Sequence, residues 1–225
     1  MRISIVVPTY NEPELQPWLS KLRRFLPADS EVIVVDDSDV PPSLEDVRLL
    51  DGGGRGKGDA VRIGMLAAEG EVVFHLDADL DEEKLALIPQ FVRLIGEGND
   101  VAIAERRGRL QYRTVARFFL SIGLFLAQRF FIFQSTRFFD TQCGLKAFRR
   151  DAARRLASLQ TVRGGMYDIE YLYIAVKNGM RIAQVAVKPM RELRPSRLRV
   201  LRCLVTDPVD LLRVKWNGVR GRYTR

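Results

Sequence analysis

The sequence predicts an α/β fold in which a mostly parallel sheet is covered by helices on both faces. Three observations predict it. Short β-branched runs alternate with longer helix-like stretches, the order that βαβ units leave in a sequence. Those runs are apolar throughout, so both of their faces are buried, as in parallel sheets. Finally, 47% hydrophobic residues in a chain of 225 are ample for one large core.

Taken in order, ISIVV (3–7) is the first strand and a helix-like stretch follows near 13–26. EVIVV (31–35) is the second strand, with a helix near 57–69. EVVFHL (71–76) is the third strand, with a helix near 83–96, and DVAIA (100–104) is the fourth. In such sheets ligands bind at the carboxyl ends of the strands. PTYNE (8–12), DDSD (36–39) and DAD (77–79) all fall there, so three polar clusters converge on one edge. The texture then changes: 112–140 is strongly apolar but broken by Arg117, Gln128, Arg129 and Arg137. Its longest uncharged apolar run, 118–127, is half of the about 20 residues a spanning helix needs. Residues 112–136 are therefore expected as interfacial helices inserted in a domain of 1–195, with apolar side chains at the lipid boundary and arginines at the headgroups. A buried core helix or a dimer face is the other reading. Residues 196–225 form a basic, amphipathic tail.

Charge divides the chain. Residues 1–105 hold 10 Lys+Arg against 21 Asp+Glu, and 106–225 hold 26 against 7. The second half is built to meet something anionic: a phosphorylated substrate, an anionic membrane surface or nucleic acid. Nucleic acid leaves the ordered acidic clusters unexplained and lacks stacking aromatics in a polar context, so no nucleic-acid partner is expected. Cys143 and Cys203 are too few for a disulfide framework or a zinc site, and a reducing cytosol is the simplest setting. No signal peptide is read at the N-terminus, where the apolar run looks like a strand and ends in a proline.

Asp77 and Asp79 stand at i and i+2 of an extended segment and so present two carboxylates to one point. Hard oxygens of this kind suit Mg²⁺ or Mn²⁺, which take further ligands from water and phosphate. Alternatively DADLDEEKL is only a helix start, with Asp79 or Asp81 as its cap. The glycine-rich DGGGRGKGDA (51–60) fits neither a P-loop nor a dinucleotide fingerprint. Opening a helix, its glycines with Arg55 and Lys57 can still bring N–H groups and positive charge to a phosphate. His75 reads as a packed core residue, Asp140 as a turn or cap aspartate and otherwise a base for a hydroxyl acceptor, and Asp168 and Glu170 as helix-start residues.

SIVVPTYNE, EVIVVDDSD, GKGDAVRIGM, HLDADL, DTQCGLKAF and YDIEYLYIA together resemble, in order, the family 2 glycosyltransferases of the GT-A fold that make polyprenyl-phosphate sugars. The likeness runs from residue 2 to about 200, and DTQCGLK leans toward the dolichyl-phosphate glucose branch over the mannose branch. It implies an inverting transfer of a hexose from a nucleotide sugar, UDP-glucose favoured over GDP-mannose, to a polyprenyl or dolichyl phosphate on the cytoplasmic face of a membrane. A transferase acting on a small soluble anion is the alternative enzyme. The expected nucleotide-sugar-binding residues are Pro8, Tyr10, Glu12, Asp36, Asp37, Lys57, Asp77, Ala78 and Asp79. Of these, Pro8, Tyr10, Glu12 and Asp36 match positions that hold the nucleoside, while Asp77, Ala78 and Asp79 match the metal and diphosphate site. Asp79, Arg106 and Arg113 are the expected catalytic residues, with Arg106 near the donor phosphates. Arg113, Arg117 and Arg197 are assigned to the acceptor phosphate. The metal set is Asp77, Asp79 and Asp81, although mannose synthases carry a glutamine where Asp81 stands. Neither the N-terminal anchor nor the C-terminal spanning helices of some members is found, so the chain is expected to dock through its own surface or to borrow a membrane-anchoring partner.

Overall fold

A seven-stranded sheet organises the computed structural model, which describes residues 1–107, 123, 126–135, 137–189 and 200–224. The strands are β1 (Ile3–Thr9), β2 (Glu31–Asp36), β3 (Arg48–Asp51), β4 (Val72–Leu76), β5 (Val101–Arg106), β6 (Leu145–Arg149) and β7 (Ile182–Val187). They lie in the order β3-β2-β1-β4-β6-β5-β7. Every neighbouring pair is parallel except those made by β6, which runs antiparallel to both β4 and β5. The four expected strands are present. β3 is a four-residue edge strand too short to show a period, and β6 carries a lysine as its second residue, which disguises it.

The helices are α1 (Leu15–Arg23), α2 (Lys57–Ala67), α3 (Glu82–Leu85), α4 (Ile88–Gly96), α5 (Arg150–Leu159), α6 (Tyr167–Lys177) and α7 (Val200–Val219). The stretch near 83–96 is two helices because Pro89 lacks an N–H and is accommodated only in a first turn, that of α4. Alternation along the strands builds two cores. Val6, Ile33, Val35, Val73 and Ile103 face α2, α5 and α6, while Ile5, Val7, Val34, Phe74 and Ala102 face α1 and α4.

The last helix joins the first of these cores. Leu211, Val214 and Tyr223 are buried in it, and the Tyr223 hydroxyl donates to Glu170 Oε1 at 2.6 Å. Of the segment 112–136, the described part holds a π-helical turn, Ala127–Ile132, with Ile132 buried and Leu126, Phe130 and Phe131 exposed. The rest of that segment, and with it the expected interfacial helices, lies outside the described residues. Among the described residues no helix is long and apolar enough to cross a membrane.

Candidate active site

Because β2, β1 and β4 are adjacent and parallel, the three polar clusters that follow them emerge side by side. They border a cleft of about 290 Å³. Pro8, Tyr10, Glu12, Asp37, Lys57, Asp77, Ala78 and Asp79 all line it. Asp36 lies just beneath, buried, accepting the Thr9 hydroxyl at 2.8 Å and the Ser38 hydroxyl at 2.9 Å. The Ser38 oxygen in turn accepts from Asn11 N at 2.6 Å, so Asp36 ties the loop after β1 to the loop after β2.

Asp37 reaches across to the glycine-rich loop, accepting Gly54 N at 2.9 Å and Gly56 N at 3.3 Å. Gly56 has φ +110, and a Cβ there would stand 3.0 Å from the Arg163 carbonyl oxygen, so only glycine serves. The loop delivers Lys57 to the cleft floor, where its Nζ lies 2.7 Å from Asp77 Oδ1. Burial alone would lower the Lys57 pKa, but Asp77 and then Asp168 outweigh it and the lysine is held above its ordinary value.

His75 Nε2 approaches the same Asp77 oxygen at 3.2 Å from within β4. Burial holds the imidazole below its ordinary pKa, and the Tyr167 hydroxyl sits 3.2 Å from Nε2. Burial by itself would raise the Asp77 carboxyl, yet Lys57 and His75 overcome it and keep Asp77 well below the usual carboxylate range. Asp79 is pushed the other way, by burial, then by the charge of Asp77, with Glu12 adding to it. Asp81 accepts Lys84 N at 3.0 Å and pairs with Lys84 Nζ at 2.9 Å, which makes its carboxylate the cap of α3. Among the described residues no three His, Cys, Asp or Glu side chains form a metal-binding group by themselves. A cation held by Asp77 and Asp79 would have to draw its other ligands from elsewhere.

At the end of β5, Arg106 grips Asp140 through Nε–Oδ2 at 2.5 Å and Nη2–Oδ1 at 3.1 Å. Arg106 N and Gln142 N also donate to that carboxylate, at 3.2 and 3.0 Å. Burial would raise Asp140, but the bond from Arg106 prevails and lowers it. Arg113, Arg117 and Arg197 lie outside the described residues.

Two groups escaped the reading of the sequence as site residues. Lys146 is fully buried in β6, with Nζ 2.7 Å from Asp168 Oδ1 and 2.7 Å from the Cys143 carbonyl oxygen. Gly144, just before it, takes a bond from Asp77 N at 2.9 Å, and a Cβ on it would stand 2.3 Å from Asp77 Oδ2. The signal was present in DTQCGLKAF, but neither partner, Asp77 or Asp168, is close in sequence.

Comparison with known proteins agrees with this architecture. Residues 4–157 match the family described as glycosyl transferase family 2. The dolichyl-phosphate beta-glucosyltransferase of Drosophila melanogaster is 32% identical over 84% of this chain and 67% of its own. The human protein of that name is 31% identical over 99% of this chain and 77% of its own. Among solved structures, glucosyl-3-phosphoglycerate synthase from Mycobacterium tuberculosis, with Mn²⁺, UDP-glucose and phosphoglyceric acid, superposes with a TM-score of 0.65. It is 22% identical and covers 99% of this chain and 79% of its own, a likeness of fold. With this cleft at the carboxyl edge of its sheet, the chain belongs to glycosyl transferase family 2 and is a glycosyltransferase of the GT-A fold.

Proposed function

We propose that this glycosyltransferase moves a glucosyl unit from UDP-glucose to a polyprenyl phosphate of the dolichyl type at a membrane surface, with inversion at the anomeric carbon. The single observation that carries the acceptor class is the state of Asp140. Four donor groups engage its carboxylate and its pKa is lowered, so it is a poor base, and a hydroxyl acceptor needs one. A phosphate monoester, with a second pKa of about 6, arrives largely deprotonated. Its oxygen attacks the anomeric carbon, the bond to the diphosphate breaks, and the electron pair departs with the nucleoside diphosphate. No proton has to move. Glucose and dolichyl phosphate follow the names of the relatives at about 30% identity.

In this reading Tyr10, Glu12, Asp36 and Asp37 shape the nucleoside end of the cleft, and Lys57 sets positive charge beside the diphosphate. Asp77 and Asp79 would hold the divalent cation, Mg²⁺ or Mn²⁺, and their environment fits it. Burial and the charge of Asp77 both disfavour ionised Asp79, and a cation relieves the second. Once bound, the cation neutralises charge on the leaving diphosphate. Asp81 is committed to Lys84 and would join only by releasing it. Arg106, and with it Arg113, Arg117 and Arg197, supplies the positive charge for two phosphates that otherwise repel.

Contact with a membrane is supported by an apolar stripe on α7, where Val209, Leu212, Trp216 and Val219 are exposed on one face. Beside it, Lys215 lies 5.8 Å from the ring of Phe131 and Arg220 lies 4.4 Å from that of Trp216. The acceptor class is tested by offering a short polyprenyl phosphate and the corresponding polyprenol in parallel. Product from the phosphate alone is expected; transfer to the polyprenol would show that a base operates and would overturn the reading. Flotation with anionic vesicles tests the membrane contact, and protein that stays at the bottom of the gradient in their presence would contradict it.

A further inference from the structure

Arg55 of the glycine-rich loop does not point to the donor cleft. It borders a second cleft, of about 460 Å³, whose walls also carry Arg62 of α2, Arg163 of the loop before α6, and Arg213 and Arg222 at the end of the chain. Asp59 is the one carboxylate in that lining. It holds Arg55 and Arg62 loosely, at 3.6 and 3.9 Å, and Arg213 turns to Asp210 at 3.2 Å. Five guanidinium groups thus face two carboxylates. Cations are gathered in this way at the cost of mutual repulsion, which an anion in their midst reverses.

The walls are fixed rather than fortuitous. Glu170, fully buried, accepts Thr161 N at 2.9 Å, the Thr161 hydroxyl at 2.6 Å and Val162 N at 2.8 Å, pinning the loop that presents Arg163. Tyr223 donates to the same carboxylate, and Asn217 Nδ2 donates to the Thr161 hydroxyl at 3.0 Å, which locks the end of α7 to that loop. Gln160 Nε2 donates to the Gly58 carbonyl oxygen at 2.8 Å and joins the loop to α2. Three segments far apart in sequence are therefore held in register around the arginines.

We propose that this arginine cleft is a second anion site, distinct from the donor cleft, which takes a phosphate-bearing ligand. Guanidinium groups match phosphate oxygens in paired N–H bonds, and a cluster from several segments suits a phosphomonoester, a diphosphate or a phospholipid headgroup. The two clefts share no lining residue, but they share the loop between them. Arg55 and Asp59 face the second cleft while Lys57 faces the first, and Gly58 N donates to the Arg163 carbonyl oxygen at 2.8 Å. An anion held by Arg55 and Arg163 therefore bears on the segment that places Lys57 beside Asp77.

The test compares the full chain with the double variant Arg163→Gln/Arg222→Gln, both sites being exposed. Matching thermal midpoints establish that the variant is folded. Pyrophosphate binding is measured by calorimetry, and flotation is measured on vesicles of phosphatidylcholine with and without phosphatidic acid. Any pyrophosphate taken by the donor cleft is common to both proteins and leaves their difference unaffected. A pyrophosphate affinity at least about tenfold weaker in the variant supports the site and assigns it a soluble phosphate. Equal pyrophosphate binding, with flotation on phosphatidic acid vesicles lost in the variant alone, supports the site and assigns it a lipid headgroup. Wild type and variant that agree in both measurements overturn it.

Discussion

Asp77 and Asp79 stand two residues apart and are biased in opposite senses, one held ionised by Lys57 and His75 and the other raised by burial and by its neighbour. Cation binding at the proposed site would need the ionised Asp79, so it would be lost as pH falls through that raised value, above the about 3.9 of a free aspartate. Mn²⁺ affinity is predicted to decline on acidification while Asp77 keeps its charge, and a titration that stays flat down to about pH 4 would contradict this. Stability follows the other sign. Asp77 and Asp140 have lowered values, so each contributes stability above the unfolded pKa of about 3.9 that is lost as pH falls through the folded one. Gly144→Ala would set a Cβ 2.3 Å from Asp77 Oδ2 and 2.6 Å from Asp77 Cβ, so it forces Asp77 aside and should both cut transfer by about 10²-fold, read as kcat/KM, and lower the melting temperature. Lys146→Met strands buried Asp168 and should cost about 3–5 kcal/mol in urea unfolding, whereas adding Asp168→Leu should restore part of it. A double variant no more stable than the single would contradict the pairing.

At the scale of elements, the site depends on a few strand ends and on two loops crossed over them. β1, β2, β4 and β5 were legible because strands buried on both faces are apolar at nearly every position, and DAD was legible as a pair of carboxylates at a strand end, although the chain turns there rather than staying extended, with Leu80 N donating to the Asp77 carbonyl oxygen at 3.2 Å. β6 was not. LKAFR holds a lysine that looks solvated until Asp168, on α6, is brought beside it by the antiparallel insertion of β6 between β4 and β5. The same distance in sequence hid the role of Asp37, whose partners are the amides of Gly54 and Gly56, and that of His75, which is buried as its alternation suggests but also touches Asp77. α7 belongs with these long-range cases, because its amphipathic pattern says nothing of which surface it meets. Its anchor is polar: Tyr223→Phe removes one of the donors to buried Glu170 and should cost about 1–2 kcal/mol. Equal urea midpoints for the two proteins would show that the end of the chain is not braced there.

The whole molecule divides its charge by task. The acidic first half contributes the carboxylates of the proposed donor cleft, and the basic second half supplies most of the arginines, among them Arg106 at Asp140 and Arg163, Arg213 and Arg222, which join Arg55 and Arg62 around the second cleft. Such a division suits two anionic reactants, one carried with a cation and one met by guanidinium groups. The most direct measurement is transfer of radiolabelled hexose to a short-chain polyprenyl phosphate from UDP-glucose and, in parallel, GDP-mannose, with Mn²⁺ or Mg²⁺ and with EDTA, for the wild type and Asp79→Ala. The account predicts a lipid-extractable product from UDP-glucose that requires the metal and is abolished in a folded Asp79→Ala protein. Product formed in EDTA, or by the variant at the wild-type rate, would contradict the carboxylate site, and no lipid product from either donor would contradict the acceptor.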